Sequence, residues 1–191
     1  MGVASHRVGI LGGTFDPVHN AHLAIAGTAL RELPLDEVLW IPTGSPRYRD
    51  APVASAEHRL AMLKLAVAGE PRYRIDIREL APDATGYTVD TLESLRSETG
   101  SLANLYLLLG ADQYAALATW HRPREVKKLA RIAVFARPGF KLAGKDAETV
   151  PMKPLTISAS EIRARVARGE RLAGLVPPAV EHYIAQHGLY R

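Results

Sequence analysis

A short segment near the N-terminus, GGTFDPVHNAH over residues 12–22, carries residue types suited to phosphate chemistry. It contains two adjacent glycines, Gly12 and Gly13, and two histidines, His19 and His22. Glycines leave the backbone bare, tolerate positive φ and let N–H groups approach an anion. Residues three apart share one face of a helical turn, and each imidazole can donate a hydrogen bond to a phosphoryl oxygen. The segment therefore indicates a place where a polyphosphate is held and acted upon.

The flanking pattern predicts that this segment joins a strand to a helix. The apolar run Val8–Leu11 precedes it. After it, apolar or small residues recur at the helical period, at Leu23, Ala26, Gly27 and Leu30. A helix start has unbonded N–H groups and the positive end of the helix dipole, both favourable for anions. Donors aimed at charge that develops during displacement at phosphorus stabilise the transition state by about 3–4 kcal/mol each.

Two other interpretations of this segment are a metal-binding histidine pair and a plain glycine turn. The chain has no cysteine, and no third ligand follows the histidines at a spacing typical of zinc. The combination of a strand, two glycines, paired histidines and a helix also argues against a plain turn. Phosphate binding is the interpretation that accounts for all four features.

Apolar, β-branched runs alternate with helical patterns along the chain. This alternation predicts an α/β fold with a Rossmann-like, doubly wound parallel sheet, helices on both faces and a C-terminal helical segment. The predicted strands are Arg7–Leu11, Glu37–Ile41, Tyr73–Ile77, Asn104–Leu109 and Ile132–Ala136, and the predicted helices are Asn20–Glu32, Ser55–Ala68, Thr88–Glu98 and Pro123–Leu129. Ligands bind beyond the carboxyl ends of the strands in such sheets. The chain has neither the G-x-G-x-x-G fingerprint nor a P-loop.

The length of 191 residues predicts one domain, residues 1–191, with a helical part at about 157–191 packed on it. Gly139–Val150 is predicted to be an exposed connection. A helix over Ser158–Arg168 follows, and a second helix begins after Pro178 and ends near Gly188.

Composition and charge narrow the class of partner. The net charge is +4 and the isoelectric point is about 9.5, which suits either nucleic acid or a small anionic substrate. We expect the small substrate and no nucleic acid, because the arginines are dispersed and no aromatic-basic motif is present. We expect no membrane segment, because charges or prolines interrupt every apolar run well short of about 18 residues. Absent cysteines and the lack of a secretion signal favour the cytoplasm.

A second informative stretch is ISASEIR, residues 157–163. Ser158 and Glu161 have the spacing of a capping box, so the stretch predicts a well-capped helix. A helix start with two hydroxyls, Ser158 and Ser160, and with Arg163 one turn later is also a good anion site. The spacing leaves both interpretations open.

Two further positions follow or flank predicted strands. Gly110 permits close approach at the end of the fourth strand, and Asp112 could accept hydrogen bonds from ribose hydroxyls or cap the next helix. Trp120 lies in a polar context, where an indole either packs in the core or stacks on a flat heteroaromatic ring.

Together these segments resemble the nucleotidyltransferases with a His-x-x-His signature, and in particular the bacterial nicotinate-nucleotide adenylyltransferases, over nearly the whole chain. Ala21 stands where that family more often has glycine. The resemblance implies transfer of an adenylyl group from ATP to nicotinate mononucleotide, giving deamido-NAD and pyrophosphate in NAD biosynthesis. Mg²⁺ is then expected to bridge phosphates rather than sit in a protein cage. Another acceptor, such as the amide mononucleotide NMN, and an inactive nucleotide-binding regulator remain alternatives, as do monomer and homo-oligomer.

The resemblance also implies the site residues, with His19, His22 and Arg163 as the catalytic ones. The implied contacts to ATP are Gly12, Gly13, Thr14, Phe15, His19, His22, Gly110, Asp112, Ser158, Ser160 and Arg163. The implied contacts to the acceptor are Tyr87, Thr88, Trp120, Arg137 and Arg47. At Pro46–Arg49 many family members have Pro-Pro-His-Lys or Pro-Pro-His-Arg, whereas this chain has Arg47 and Tyr48 in place of the Pro-His pair. Which residue of this loop binds phosphate, and whether it is only an exposed basic loop, stays open.

Overall fold

Six parallel strands form one sheet in the part of the chain that the computed structural model describes, residues 6–44, 51–99, 104–136, 139–140 and 146–191. They are β1 (Arg7–Gly13), β2 (Glu37–Pro42), β3 (Tyr73–Ile75), β4 (Asn104–Gly110), β5 (Arg131–Phe135) and β6 (Glu148–Val150). The strand order is β3-β2-β1-β4-β5-β6. The direction of winding reverses between β1 and β4, so the carboxyl ends of these two strands border the crevice where doubly wound folds bind ligands.

Helices cover both faces of this sheet. In the described residues they are α1 (Asn20–Glu32), α2 (Ala56–Val67), α3 (Thr88–Thr99), α4 (Ala111–Ala116), α5 (Pro123–Leu129), α6 (Ala159–Ala167) and α7 (Pro178–Gln186). Buried residues of α1, α2, α6 and α7 form one core cluster, and those of α3, α4 and α5 form another. None of the helices in these ranges is long and apolar enough to cross a bilayer.

The side chains of β4 alternate between the two clusters, which explains why the strand is apolar throughout. Tyr106 and Leu108 belong to the cluster under α1, whereas Leu105, Leu107 and Leu109 belong to the cluster under α3. Successive residues of a strand point to opposite faces, so a strand covered on both sides is apolar at every position. The predicted doubly wound α/β fold is confirmed.

The position of the turn after β1 differs from the prediction. β1 continues through both glycines, with Gly12 paired to Ile41 and Gly13 paired to Pro42. A Cβ atom on Gly13 would lie 2.9 Å from the ring of Phe15, so this glycine is required by close packing. The left-handed backbone occurs instead at Phe15, with φ of 50°. The predicted glycine turn is therefore wrong in place, and the chain turns two residues later.

Two short elements were not predicted. β6 lies inside the segment predicted to be an exposed connection, and only Val150 of its three residues is buried. Such a short edge strand leaves no apolar run in the sequence. α4 directly follows β4 and has a single buried residue, Ala111, so it shows no helical stripe. β3 also ends at Ile75, two residues before the predicted end at Ile77.

A buried arginine on α2 holds the loops that follow β1 and β2. Arg59 is 1% exposed. Its guanidinium donates to the carbonyl oxygens of Thr14 at 2.6 Å, Thr43 at 2.8 Å and Ala54 at 3.3 Å. Burial lowers the pKa of Arg59 from its ordinary value, and the nearby carboxylate of Asp16 opposes that shift. Arg59 thus supplies hydrogen-bond donors to loop carbonyls that lie outside the strand pairing of the sheet.

We expect Arg59→Met to lower the free energy of unfolding by about 2–4 kcal/mol, because several buried carbonyls lose their donors together. Urea denaturation followed by circular dichroism measures this loss. Lys64→Met, on the exposed face of the same helix, is the matched control and should change stability by less than about 0.5 kcal/mol. An equally small change in the Arg59 variant would show that the loops hold without this residue.

Candidate active site

The segment after β1 places the two histidines together at the start of α1. His19 is the N-cap residue and His22 is the third residue of the first turn. Their rings stack with centroids 3.7 Å apart and planes 19° apart, which confirms the predicted shared face. The backbone N–H of His19 donates to Nδ1 of His22 at 3.2 Å. Because Nδ1 of His22 accepts, the neutral ring carries its proton on Nε2 and can donate from there.

The ring of Phe15 packs against the ring of His22. Its ring is 2% exposed and meets the ring of His22 edge-on, with centroids 5.0 Å apart and planes 82° apart. On its other side it contacts Trp40 at 5.6 Å. Phe15 therefore belongs to the core as a whole residue, backbone included.

Asp16 is a buried carboxylate that sequence reasoning did not single out. Its Oδ1 accepts from the hydroxyl of Tyr190 at 2.7 Å and from the N–H of Ala54 at 3.1 Å, and its Oδ2 accepts from the N–H of Val53 at 2.7 Å. Burial and the hydrogen bond to Asp16 raise the pKa of Tyr190 well above its ordinary value, so the hydroxyl remains a donor. The only signal in the sequence was the presence of Asp16 within the glycine-histidine segment.

The second informative stretch lies against the first. Ser158 caps α6, and its Oγ accepts from the N–H of Glu161 at 3.3 Å and lies 3.2 Å from Oγ of Ser160. Nη1 of Arg163 donates to the carbonyl oxygen of Asp16 at 2.7 Å. The Arg163 side chain is 31% exposed, so it is anchored at one point and still accessible. The predicted cap at Ser158 is confirmed, whereas the Glu161 carboxylate accepts from Arg165 at 2.9 Å. The fold joins this capped helix to the histidine segment.

The end of β4 lies beside the end of β1 in the sheet. Gly110 is the last residue of β4 and also the N-cap of α4, with extended backbone. Asp112 is the second residue of α4, so the alternative prediction that it caps the helix is wrong. Its Oδ2 accepts from Nε2 of Gln113 at 3.4 Å. A helix start with a carboxylate in its first turn therefore faces the crevice edge of the sheet.

Aromatic residues from two separate loops meet on the α3 side of the sheet. Tyr87 and Trp120 are both partly buried and pack against the same core cluster. The ring of Tyr87 lies 4.4 Å from the ring of His121, the residue after Trp120. Thr88 begins α3 directly after Tyr87. Trp120 thus packs partly on the core, as one interpretation expected, while its loop lies next to the start of α3.

Glu79 ties the loop after β2 to α3, and no pattern in the sequence pointed to it. Its carboxylate accepts from Oγ1 of Thr43 at 2.8 Å and from Oγ1 of Thr91 at 2.7 Å. Its carbonyl oxygen accepts from the N–H of Gly44 at 2.9 Å. A Cβ atom on Gly44 would lie 2.6 Å from that oxygen, so glycine is required there. Glu79 fixes the spacing between the loop after β2 and α3.

The remaining predicted residues have varied placements. Gly12 is exposed at the end of β1, and the carbonyl of Thr14 is engaged by the buried arginine on α2. Arg47 and Arg137 lie outside the described residues, as does the segment Pro46–Arg49 in which the chain departs from the family pattern.

Comparisons with known proteins match most of the chain to one family. The family model described as cytidylyltransferase-like matches residues 10–165. A Chromobacterium violaceum protein named "Probable nicotinate-nucleotide adenylyltransferase" is 43% identical, covering 97% of this chain and 99% of that protein. A protein of the same name from Laribacter hongkongensis is 44% identical, covering 96% of this chain and 94% of that protein.

Solved structures agree on the fold. Plasmodium falciparum nicotinic acid mononucleotide adenylyltransferase complexed with NaAD superposes with a TM-score of 0.81 at 18% identity, covering 97% of each chain. At that identity the likeness concerns the fold alone.

Proposed function

The chain belongs to the nicotinate-nucleotide adenylyltransferases of the cytidylyltransferase-like family, and we propose that it joins ATP and nicotinate mononucleotide to give deamido-NAD and pyrophosphate. This reaction is an adenylyl transfer that serves NAD biosynthesis. The observation that carries the proposal is the stacked pair His19 and His22 at the carboxyl end of β1, with Arg163 of α6 beside the same segment.

In this reaction the protein contributes mainly by positioning the substrates and stabilising charge, and no protein nucleophile is required. A phosphate oxygen of the mononucleotide attacks the α-phosphorus of ATP in line, the bond to the bridging oxygen breaks, and pyrophosphate leaves with that electron pair. The attacking phosphate monoester is already ionised, so no general base is required. Positioning contributes up to about 7–11 kcal/mol, and donors aimed at the developing charge supply the rest.

The donors at the crevice suit the charge of ATP. His22 would offer Nε2–H and His19 lies stacked on it, and we assign the α-phosphate and the charge of the leaving group to this pair. Arg163, with Ser158 and Ser160 at the start of α6, would hold the β- and γ-phosphates. The backbone of Gly12, Gly13 and Thr14 would line the approach, while Phe15, 2% exposed, would support it from the core.

The ribose and the acceptor take the remaining parts of the crevice. Gly110 permits close approach at the end of β4, and the carboxylate of Asp112 would accept from ribose hydroxyls. Thr88 would offer its backbone N–H to the pyridine carboxylate, and the N–H of Tyr87, which donates to Oγ1 of Thr85 at 3.2 Å, would change partner to do the same. Trp120 would stack on the ring. A carboxylate is favoured at a helix N-terminus and a carboxamide gains less there, which supports the acid as acceptor.

We assign the acceptor phosphate to Arg47 and Arg137. Mg²⁺ is proposed to arrive with ATP, held by phosphate oxygens and water. The described donors at the crevice are mostly imidazole and guanidinium groups, which suit phosphate oxygens and not a hard cation. No three His, Asp or Glu side chains of the described residues are grouped as a metal site.

A pyrophosphate-release assay with a panel of acceptors tests the function. The panel contains nicotinate mononucleotide, its amide NMN, flavin mononucleotide and phosphopantetheine. We expect the highest kcat/KM with nicotinate mononucleotide, since the acid gains more at the start of α3. Equal kcat/KM for acid and amide would contradict the specificity, and no pyrophosphate from any acceptor would contradict the enzymatic function.

His22→Ala is expected to lower kcat by about 10²–10³-fold, because a donor to the developing charge is lost. Steady-state turnover and a thermal melt of the same sample separate catalysis from folding. The control is His182→Ala, an exposed histidine on α7, which should leave kcat unchanged. A drop of less than tenfold would remove His22 from the catalytic role.

Trp120→Ala is expected to raise KM for the mononucleotide by about tenfold with a smaller effect on KM for ATP, because a stacking surface worth about 1–3 kcal/mol is lost. Trp120→Phe keeps a flat ring and should recover most of the affinity. If the alanine variant loses its cooperative melt, or if both KM values rise equally, the indole acts as core and the stacking role is wrong.

A further inference from the structure

The penultimate residue of the chain is buried against the histidine segment. α7 ends at Gln186, and a turn through Gly188, with φ of 58°, brings the chain back to the fold. Tyr190 is 9% exposed and has φ of 63°, in the left-handed region that tyrosine rarely adopts. A non-glycine residue persists in this conformation only where its surroundings hold it. The contacts of the Tyr190 side chain therefore offset the free-energy cost of its left-handed backbone conformation.

The main polar contact of Tyr190 is Asp16, and Asp16 in turn contacts Arg163. The hydroxyl of Tyr190 donates to Oδ1 of Asp16 at 2.7 Å. Arg163 donates from Nη1 to the carbonyl oxygen of the same residue at 2.7 Å, while that nitrogen lies 3.9 Å from Oδ2. Asp16 thus contacts both Tyr190 and Arg163, the arginine assigned to the ATP phosphates.

The Asp16 carboxylate already has donors other than Arg163. Three neutral donors, from Tyr190, Ala54 and Val53, already satisfy the two oxygens. The other nearby guanidinium, that of Arg59, is committed to loop carbonyls. With these donors in place, Arg163 binds the backbone carbonyl and keeps the rest of its guanidinium accessible.

We propose that Tyr190 is a positioning residue that keeps Arg163 in its ATP-binding orientation by satisfying the carboxylate of Asp16. The proposal rests on the function proposed above. Without the hydroxyl, Oδ1 loses one of its donors inside the protein, and Arg163, whose Nη1 lies 3.9 Å from Oδ2, is a charged donor near enough to replace it. A guanidinium turned onto the carboxylate is withdrawn from the β- and γ-phosphates. The C-terminal end of the chain thereby contributes to ATP affinity without touching ATP.

Tyr190→Phe deletes the hydroxyl and keeps the ring volume, so the variant retains its packing. We measure binding of α,β-methylene ATP and of AMP by calorimetric titration, together with KM and kcat. The expected result is a rise of about tenfold in Kd for the triphosphate analogue and in KM for ATP. Binding of AMP and KM for the mononucleotide stay within about twofold, because neither ligand presents the β- and γ-phosphates to Arg163.

Tyr183→Phe is the matched control on α7. It deletes another partly buried hydroxyl, which contacts Nδ1 of His58 at 3.0 Å and does not contact Asp16. Its affinities for the triphosphate analogue and for AMP should equal those of the wild type, even if its melting temperature falls.

Two results would overturn the proposal: an unchanged Kd for the triphosphate analogue in Tyr190→Phe, or an equal loss for AMP and the analogue. The second result would mean that Tyr190 is only structural. Wild-type turnover with nicotinate mononucleotide is measured in parallel. Tight binding of the triphosphate analogue without adenylyl transfer would contradict the proposed function while leaving the role of Tyr190 intact.

Discussion

The crevice depends on one buried carboxylate. Asp16 lies three residues after β1, and its three oxygen atoms bind groups from the segment before α2, from α6 and from the C-terminal end of the chain. A carboxylate that is 4% exposed must find donors inside the protein, since leaving it unsatisfied is costly. Satisfying this requirement brings together segments that are up to 174 residues apart in sequence. The histidine segment is held in place as a consequence.

A second set of contacts fixes the opposite wall of the crevice. Arg59 binds carbonyls of the loops after β1 and β2, and Glu79 connects the loop after β2 to α3. Loop backbone at the edge of a sheet has no ladder partner, so side chains must supply the missing donors and acceptors. These two residues do no chemistry in the proposed reaction. They set the distance between the histidine side of the crevice and its aromatic side.

Several elements and site residues could be predicted because local patterns determine them. The helix that begins with Asn20, the cap at Ser158 and the strand around Leu107 follow from apolar period, capping residues and continuous apolar character. Elements with little buried surface were missed. β6 buries only Val150 and α4 only Ala111, so neither leaves a periodic pattern. The turn after β1 was misplaced because the glycines serve packing against Phe15 and not a left-handed turn.

The amino-acid sequence was sufficient for the parallel doubly wound sheet, the histidine pair at a helix start and the family of the chain. These are properties of residue types and short spacings, which the backbone period turns directly into structure. The roles of Asp16, Arg59, Glu79 and Tyr190 required the folded chain. Each is a polar side chain whose partners lie at least 12 residues away, as from Glu79 to Thr91, apart from the contact of Arg59 with Ala54 five residues away. Their burial and pairing follow from how the helices pack on the sheet, and no local pattern encodes that packing.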